Sequence, residues 1–193
     1  LIQPDPELTV RLKRHLAELD NRGDILFVDV VDRALRVMTQ ADCLVMRYAI
    51  VVANPPYMGM KNASALLVGY LKEAYAKFKS DLFSAFVKRS AELCANGGYI
   101  GIMSPNVWMY ISAHAELRKL LLDRHPVQSL IELPLGGFEG ATVQICAYTF
   151  AASSMGEQPV DFIRLVGSPR SADYADILRA SVASRTSGNR FTV

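Results

Sequence analysis

Tyr48-Ala49-Ile50-Val51-Val52-Ala53-Asn54-Pro55-Pro56-Tyr57 is the stretch on which the reading of this chain turns. Its first six residues are apolar without interruption, and Ile50, Val51 and Val52 are β-branched. A short run of this kind fits a strand buried on both faces, the mark of a parallel sheet covered by helices. Two prolines then stop it. In an open α/β sheet, ligands gather just beyond the carboxyl end of a strand, which is where Asn54-Pro55-Pro56-Tyr57 falls.

Upstream, Asp5-Pro6 is a good helix start, Leu8, Leu12, Leu16 and Leu19 recur at helical spacing, and Gly23 is placed to end that helix. A second helix is expected over Val28–Leu44, with Val31, Leu35 and Met38 on one face. Downstream, helices are expected over Ala63–Lys79 and Asp81–Cys94. Asp81 can cap the latter, whose inner face would carry Phe83, Phe86, Val87 and Leu93, and Asn96-Gly97-Gly98 would end it. Tyr99–Met103 reads as another buried strand, stopped by Ser104-Pro105-Asn106. A helix over Ser112–Arg124 follows, with Leu117, Leu120 and Leu121 inward. Strands over Val127–Leu133 and Thr142–Phe150 are joined by Pro134–Gly140, too short for a crossover helix, so this pair should be antiparallel. A strand over Val160–Val166, a helix over Asp173–Val182 and a loose Ser184–Asn189 complete the pass.

The order is α/β. It divides into a helical segment (1–47), a partial catalytic subdomain (48–152) and a strand–helix extension (153–193). With 193 residues, 51% of them hydrophobic, the chain can build a substantial core and is not predominantly disordered. A net charge of +2 excludes a polybasic binder, so any nucleic-acid contact must be a local patch. Cys43, Cys94 and Cys146 form no CxxC pair and read as buried thiols in a reducing cytosol. His15, His114 and His125 are too scattered for a metal site. No apolar run approaches the roughly 20 residues that span a bilayer, and a cytoplasmic location is expected.

The tetrapeptide carries the chemistry. As a plain turn it needs no function, since Asn-Pro commonly initiates turns. With proline at about 5% of residues, however, such a tetrapeptide arises by chance in roughly one chain in a hundred of this size. Pro55 forces Asn54 to be extended, and Pro56 does the same to Pro55. Neither proline has an N–H, so the segment cannot fold back on its own carbonyls. What remains is a stiff arc offering the Asn54 side-chain oxygen and the Pro55 carbonyl as adjacent acceptors, which suit the two hydrogens of a planar –NH2. Accepting both draws the nitrogen out of conjugation and frees its lone pair to attack an electrophile. Tyr57 adds a face for stacking a flat ring, typically worth about 1–3 kcal/mol per base. No catalytic base is needed, because the alkylated nitrogen is acidic enough to lose its proton to water.

The succession of strand–Asn-Pro-Pro-Tyr, Asp81-Leu82-Phe83, Gly97-Gly98–strand–Ser104-Pro105 and a closing hairpin resembles the amino-type DNA methyltransferases. It is most similar to the adenine-N6-specific enzymes of bacterial restriction–modification and phage defence, in particular the type IIG and BREX-associated PglX groups. The resemblance covers about Tyr48 to Phe150, with Asn54–Gly59 its most specific part. It implies the C-terminal half of a Rossmann-like S-adenosylmethionine-dependent methyltransferase sheet ending in an antiparallel hairpin. It further implies that Asn54, Pro55 and Tyr57 hold a flipped adenine of double-stranded DNA, that Phe138 packs on the base's other face, and that Pro56 and Phe86 wall the adenosyl group of S-adenosylmethionine.

Against each of these stands a plainer role: Phe86 in the core, Trp108 and Tyr110 over the sheet edge, Lys61, Lys72, Lys77 and Lys79 on solvated helix faces. The glycine-rich turn and acidic strand end that bind the donor in this family are missing before Tyr48. The chain therefore reads as an enzyme fragment, inactive alone, lacking an N-terminal cofactor-binding half and a C-terminal target-recognition region. Two other readings stay open: methylation of protein glutamine or RNA guanine, and a non-catalytic interaction module.

Overall fold

A computed structural model describes residues 6–20, 25–136, 143–153, 160–167, 173–184 and 190–192. The chain forms two compact units, Leu1–Arg47 and Tyr48–Val193. In the first, α1 (Pro6–Asp20) packs on α2 (Ile25–Val45), and Lys13 pairs with Asp42. Val31 is buried and Leu16, Leu35 and Met38 partly so, as the helical spacing predicts. Asp5 and Gly23 lie outside the described residues. Cys43 is exposed rather than buried, because it sits about 120° around the helix from Val31.

The second unit is built on a six-stranded sheet of order β1-β2-β4-β3-β5-β6. Its strands are β1 (Tyr48–Ala53), β2 (Cys94–Pro105), β3 (Val127–Glu132), β4 (Ile145–Ala151), β5 (Asp161–Arg164) and β6 (Arg190–Thr192). β1 is parallel to β2 and β3 to β5, while β4 runs antiparallel between β2 and β3. The expected antiparallel pair therefore forms, but its second strand folds inward to bridge β2 and β3. β6 was not foreseen. Arg190 anchors it through a two-point pair with Asp161 on β5 and a bond to the Val182 carbonyl of α6 (Tyr174–Ala183). Of the stretch expected to be loose, residues 185–189 lie outside the described residues.

Helices cover one face of the sheet. Of the helix expected over Ala63–Lys79, α3 (Ala65–Ala74), capped by Ser64, forms and stops short of Lys79, with a 3-10 turn at Met60–Asn62 before it. α4 (Leu82–Leu93) begins at the Asp81 cap as expected and packs against β1 and β2. α5 (Ala115–Lys119) runs into a π-helical turn at Leu120–Arg124. Phe83 and Val87 of α4 meet Leu117 and Leu121 over Ile100, Ile102, Leu130, Tyr148 and Phe150 of the sheet. Burying large side chains of this type contributes about 1.5–3 kcal/mol each.

On the opposite face, β1 is open among the described residues. Ile50 is 69% and Val52 77% exposed, so β1 is covered on one side only, not on both. The uninterrupted apolar run concealed this because it has no period to mark an outer face. Phe86 is likewise outside the core, at 40% exposed. The buried stripe of α4 runs through Phe83, Val87, Ser90 and Ala91, and the helical angle places Phe86 about 100° from its centre.

Asn96-Gly97-Gly98 lies within β2 rather than closing α4, which ends at Leu93. The β1–β2 register jumps there, from Tyr48 opposite Cys94 to Ile50 opposite Tyr99, and Gly97 takes a φ of 77°. At Gly98 a Cβ would come within 2.5 Å of the Ala49 carbonyl of β1. Gly98→Ala must push the two strands apart, and a loss of about 1–3 kcal/mol is expected in thermal or denaturant unfolding; a variant as stable as wild type would show that this approach is not needed.

His114 and His125 each keep Nδ1 buried without a hydrogen-bond partner among the described residues. Burial holds both below the usual 6.5, opposed at His114 by Asp81 and at His125 by backbone contacts. A folded value below the unfolded one means that the unfolded chain binds more protons in this range. Stability should be complete well above about pH 6.5 and decline as the pH falls through that value toward 5. Thermal melts across that window should show a falling midpoint, and a flat or rising one would contradict neutral buried rings.

Candidate active site

The tetrapeptide leaves β1 at the carboxyl end of the sheet. Asn54, Pro56 and Tyr57 are exposed, and Pro55 is buried beneath them. The Pro55 carbonyl has no hydrogen-bond partner among the described residues and stays available as an acceptor. The Asn54 Oδ1 accepts a bond of 2.9 Å from the Tyr57 hydroxyl. One lone pair of that oxygen is thus engaged inside the motif. A carbonyl oxygen has two, so the second remains for an incoming amine. The bond also fixes the Asn54 amide with its oxygen toward Tyr57. Partial burial, then the nearby Cys146 sulfur, raise the Tyr57 phenol above its ordinary range, keeping it a neutral donor.

Cys146 is a buried thiol pushed up to about 11 by burial, with the Trp108 indole N–H donating to its sulfur at 3.4 Å. A thiol that stays protonated is no nucleophile, so the chemistry rests on the oxygens of the turn. Trp108 belongs to the core and does not line the site. Lys61, Lys72 and Lys79 are exposed, and Lys77 pairs with Glu116 at 3.1 Å.

A second polar cluster stands at the same end of the sheet. Glu132, at the end of β3, is only 7% exposed. Its Oε1 accepts from Asn106 Nδ2 at 2.9 Å, the Tyr110 hydroxyl at 3.2 Å and Gln144 Nε2 at 3.2 Å, while Oε2 pairs with Arg164 at 3.2 Å. One carboxylate thus joins the ends of β2, β3 and β5 to the residue entering β4. It braces both ends of the connection that carries Phe138; Phe138 itself lies outside the described residues. Sequence reasoning missed Glu132, whose partners come from three separate segments, around Asn106 and Tyr110, Gln144 and Arg164.

Pro56 and Phe86 both present apolar surface to solvent, a chemistry compatible with the flat adenosyl ring the resemblance gives them. They supply no polar group for the rest of such a cofactor. The described part of the first unit is two helices, without a strand–glycine turn. Beside Asn54, this opposite sheet face forms a groove of about 360 Å³ lined by Val52, Met103, Ile131, Tyr148 and Thr149.

A parallel β1–β2 pair, an antiparallel strand inserted beside it and an amide–proline turn at the carboxyl edge define a Rossmann-like methyltransferase sheet. The chain belongs to the Eco57I restriction-modification methylase family, whose model matches residues 15–138. It is 32% identical over 172 residues to the adenine-specific methyltransferase BrxX of Escherichia coli O9:H4 (strain HS), covering 86% of this chain and 14% of that protein. It is 29% identical over 90 residues to the type II restriction enzyme and methyltransferase RM.Eco57I of Escherichia coli, covering 44% of this chain and 9% of that protein. The chain thus spans a small part of the relatives it matches.

Among solved structures, a Listeria monocytogenes protein assigned to the class I S-adenosylmethionine-dependent methyltransferases has a TM-score of 0.54 at 15% identity, covering 75% of this chain and 43% of that one. The M protein of the type I restriction enzyme EcoKI has a TM-score of 0.53 at 16% identity, covering 67% and 28%. These likenesses establish the fold.

Tyr57→Phe removes the hydroxyl and keeps the ring, whereas Tyr57→Ala removes both. In titrations of the complete protein with an adenine-containing oligonucleotide, Tyr57→Phe should lose about 0.5–1.5 kcal/mol. Tyr57→Ala should lose about 1–3 kcal/mol more. Equal losses would show that the ring face contributes nothing.

Proposed function

We propose that this chain is the amine-binding part of a DNA adenine N6-methyltransferase of restriction–modification or phage defence. The observation that carries the reading is the open turn at the end of β1, with the Pro55 carbonyl free and Asn54 Oδ1 able to accept once more. The adenine specificity in the name of BrxX, over a match that covers most of this chain, supports adenine as the target base.

In this reading an adenine leaves the duplex, at a cost of a few kcal/mol, and stacks on Tyr57. Its N6 hydrogens bond to Asn54 Oδ1 and the Pro55 carbonyl, and Phe138 closes over the other face. S-adenosylmethionine supplies an electrophilic methyl group when bound, with Pro56 and Phe86 walling its adenosyl part. The turn holds N6 with its lone pair directed outward, and N6 sheds a proton to water once alkylated. Cofactor phosphates are not involved, so no basic cradle is required. The remainder of the donor site and the selection of a DNA sequence fall to other parts of the complete protein, in keeping with the small share of its relatives that this chain spans. Residues 1–47 precede the catalytic subdomain 48–152 as a helical segment, and residues 153–193 extend its sheet through β5 and β6.

Asn54→Ala in the complete protein is expected to lower adenine methylation about a hundredfold or more, as removal of one preorganised polar group does elsewhere. Methyl incorporation into DNA, RNA and a glutamine-bearing protein should be followed in parallel. Undiminished activity of Asn54→Ala, or incorporation only into RNA or protein, would overturn the reading.

A further inference from the structure

The carboxylate of Asp81 is shared between two jobs. Its Oδ1 accepts the Phe83 N–H at 3.2 Å, which caps α4, and the Met58 N–H at 3.1 Å. Met58 directly follows Tyr57. The Met58 carbonyl in turn accepts the Leu82 N–H at 3.0 Å, and Gly59 forms an antiparallel bridge with Asp81. Both backbone groups of the residue leaving the turn are therefore tied to the start of α4. That helix is fixed in the core by Phe83 and Val87, which are 1% and 0% exposed.

The turn has few other means of being held. Pro55 and Pro56 have no N–H to donate, and Tyr57 bonds within the motif. Upstream, Asn54 is fixed by β1. Downstream, the two Met58 bonds are what set the direction in which the arc leaves the strand. Without them, the Pro55 carbonyl and the Tyr57 ring could swing relative to the sheet, and a displacement of about 1 Å at a reacting group can cost about a hundredfold in rate.

We infer that Asp81 is a positioning residue, whose carboxylate couples the helix start to the amine-binding turn and sets the geometry in which N6 is presented. The inference rests on the reading of Asn54–Tyr57 given above, and it separates two roles that one carboxylate now combines. Capping alone needs any short side-chain acceptor. Holding Met58 as well needs an oxygen two bonds beyond Cβ.

The test uses the complete protein. Asp81→Ser keeps a good cap, but its hydroxyl is one bond shorter and cannot hold Phe83 and Met58 together. Asp81→Asn keeps an oxygen at the original reach. Single-turnover methylation of adenine in DNA should fall about tenfold to a hundredfold in Asp81→Ser, with unchanged DNA affinity, and return to near the wild-type rate in Asp81→Asn. Amide exchange at Met58 should speed up in Asp81→Ser alone. If Asp81→Ser fails to fold, Asp81→Gly replaces it, because glycine caps nearly as well and offers Met58 no acceptor. A folded Asp81→Ser or Asp81→Gly that methylates at the wild-type rate reduces Asp81 to a cap and overturns the inference. Asn54→Ala, assayed alongside, separates the two readings: if it too is fully active, the amine-binding turn itself is wrong; if it alone is inactive, only the role of Asp81 falls.

Discussion

Two adjacent prolines at the end of β1 leave the chain without backbone donors at the point where it turns away from the sheet. This constraint shapes everything around it. The Pro55 carbonyl cannot be satisfied from within the segment and has no hydrogen-bond partner among the described residues. The Asn54 amide is oriented by the Tyr57 hydroxyl, and the next residue able to anchor the backbone firmly is Met58. The rigidity of the arc is thus partly covalent, from the pyrrolidine rings, and partly borrowed from Asp81 and the buried start of α4.

The sheet supplies the platform. Helices cover one face and leave a core of aromatic and branched side chains on which β1 and β2 are fixed. The insertion of β4 between β2 and β3 brings the entrance of β4 to the same end as the exits of β1, β2 and β3. At that end Glu132 gathers Asn106, Tyr110, Gln144 and Arg164 around a nearly buried carboxylate. Breaking a pair of this kind leaves a charge poorly solvated, so the network specifies one arrangement of the strand ends.

Much of this was legible in the sequence because the signals are local. The strand at Tyr48–Ala53, the cap at Asp81, the buried leucines of the α5 segment and the antiparallel hairpin follow from runs, caps and loop lengths of a few residues. What escaped depends on neighbours far along the chain. A continuous apolar run cannot say whether one or both faces are covered, and Ile50 and Val52 are open. Phe86 sits at the margin of a helical stripe whose centre only packing defines. The glycines after Cys94 signal a chain reversal equally well at a helix end or a strand irregularity, and the close approach of Ala49 decides for the latter. Asp81 and Met58 are 23 residues apart, so the second job of that carboxylate leaves no trace in spacing.

The role of the Asn54–Tyr57 turn depends on where an exocyclic amine comes to rest. A crystal structure of the complete protein with DNA carrying its target adenine measures this directly. The adenine N6 should lie about 2.7–3.2 Å from both Asn54 Oδ1 and the Pro55 carbonyl oxygen, with the ring stacked on Tyr57. A base extruded into any other pocket, or an N6 bonded elsewhere while the Asn54–Tyr57 hydrogen bond stays closed to it, would contradict that role.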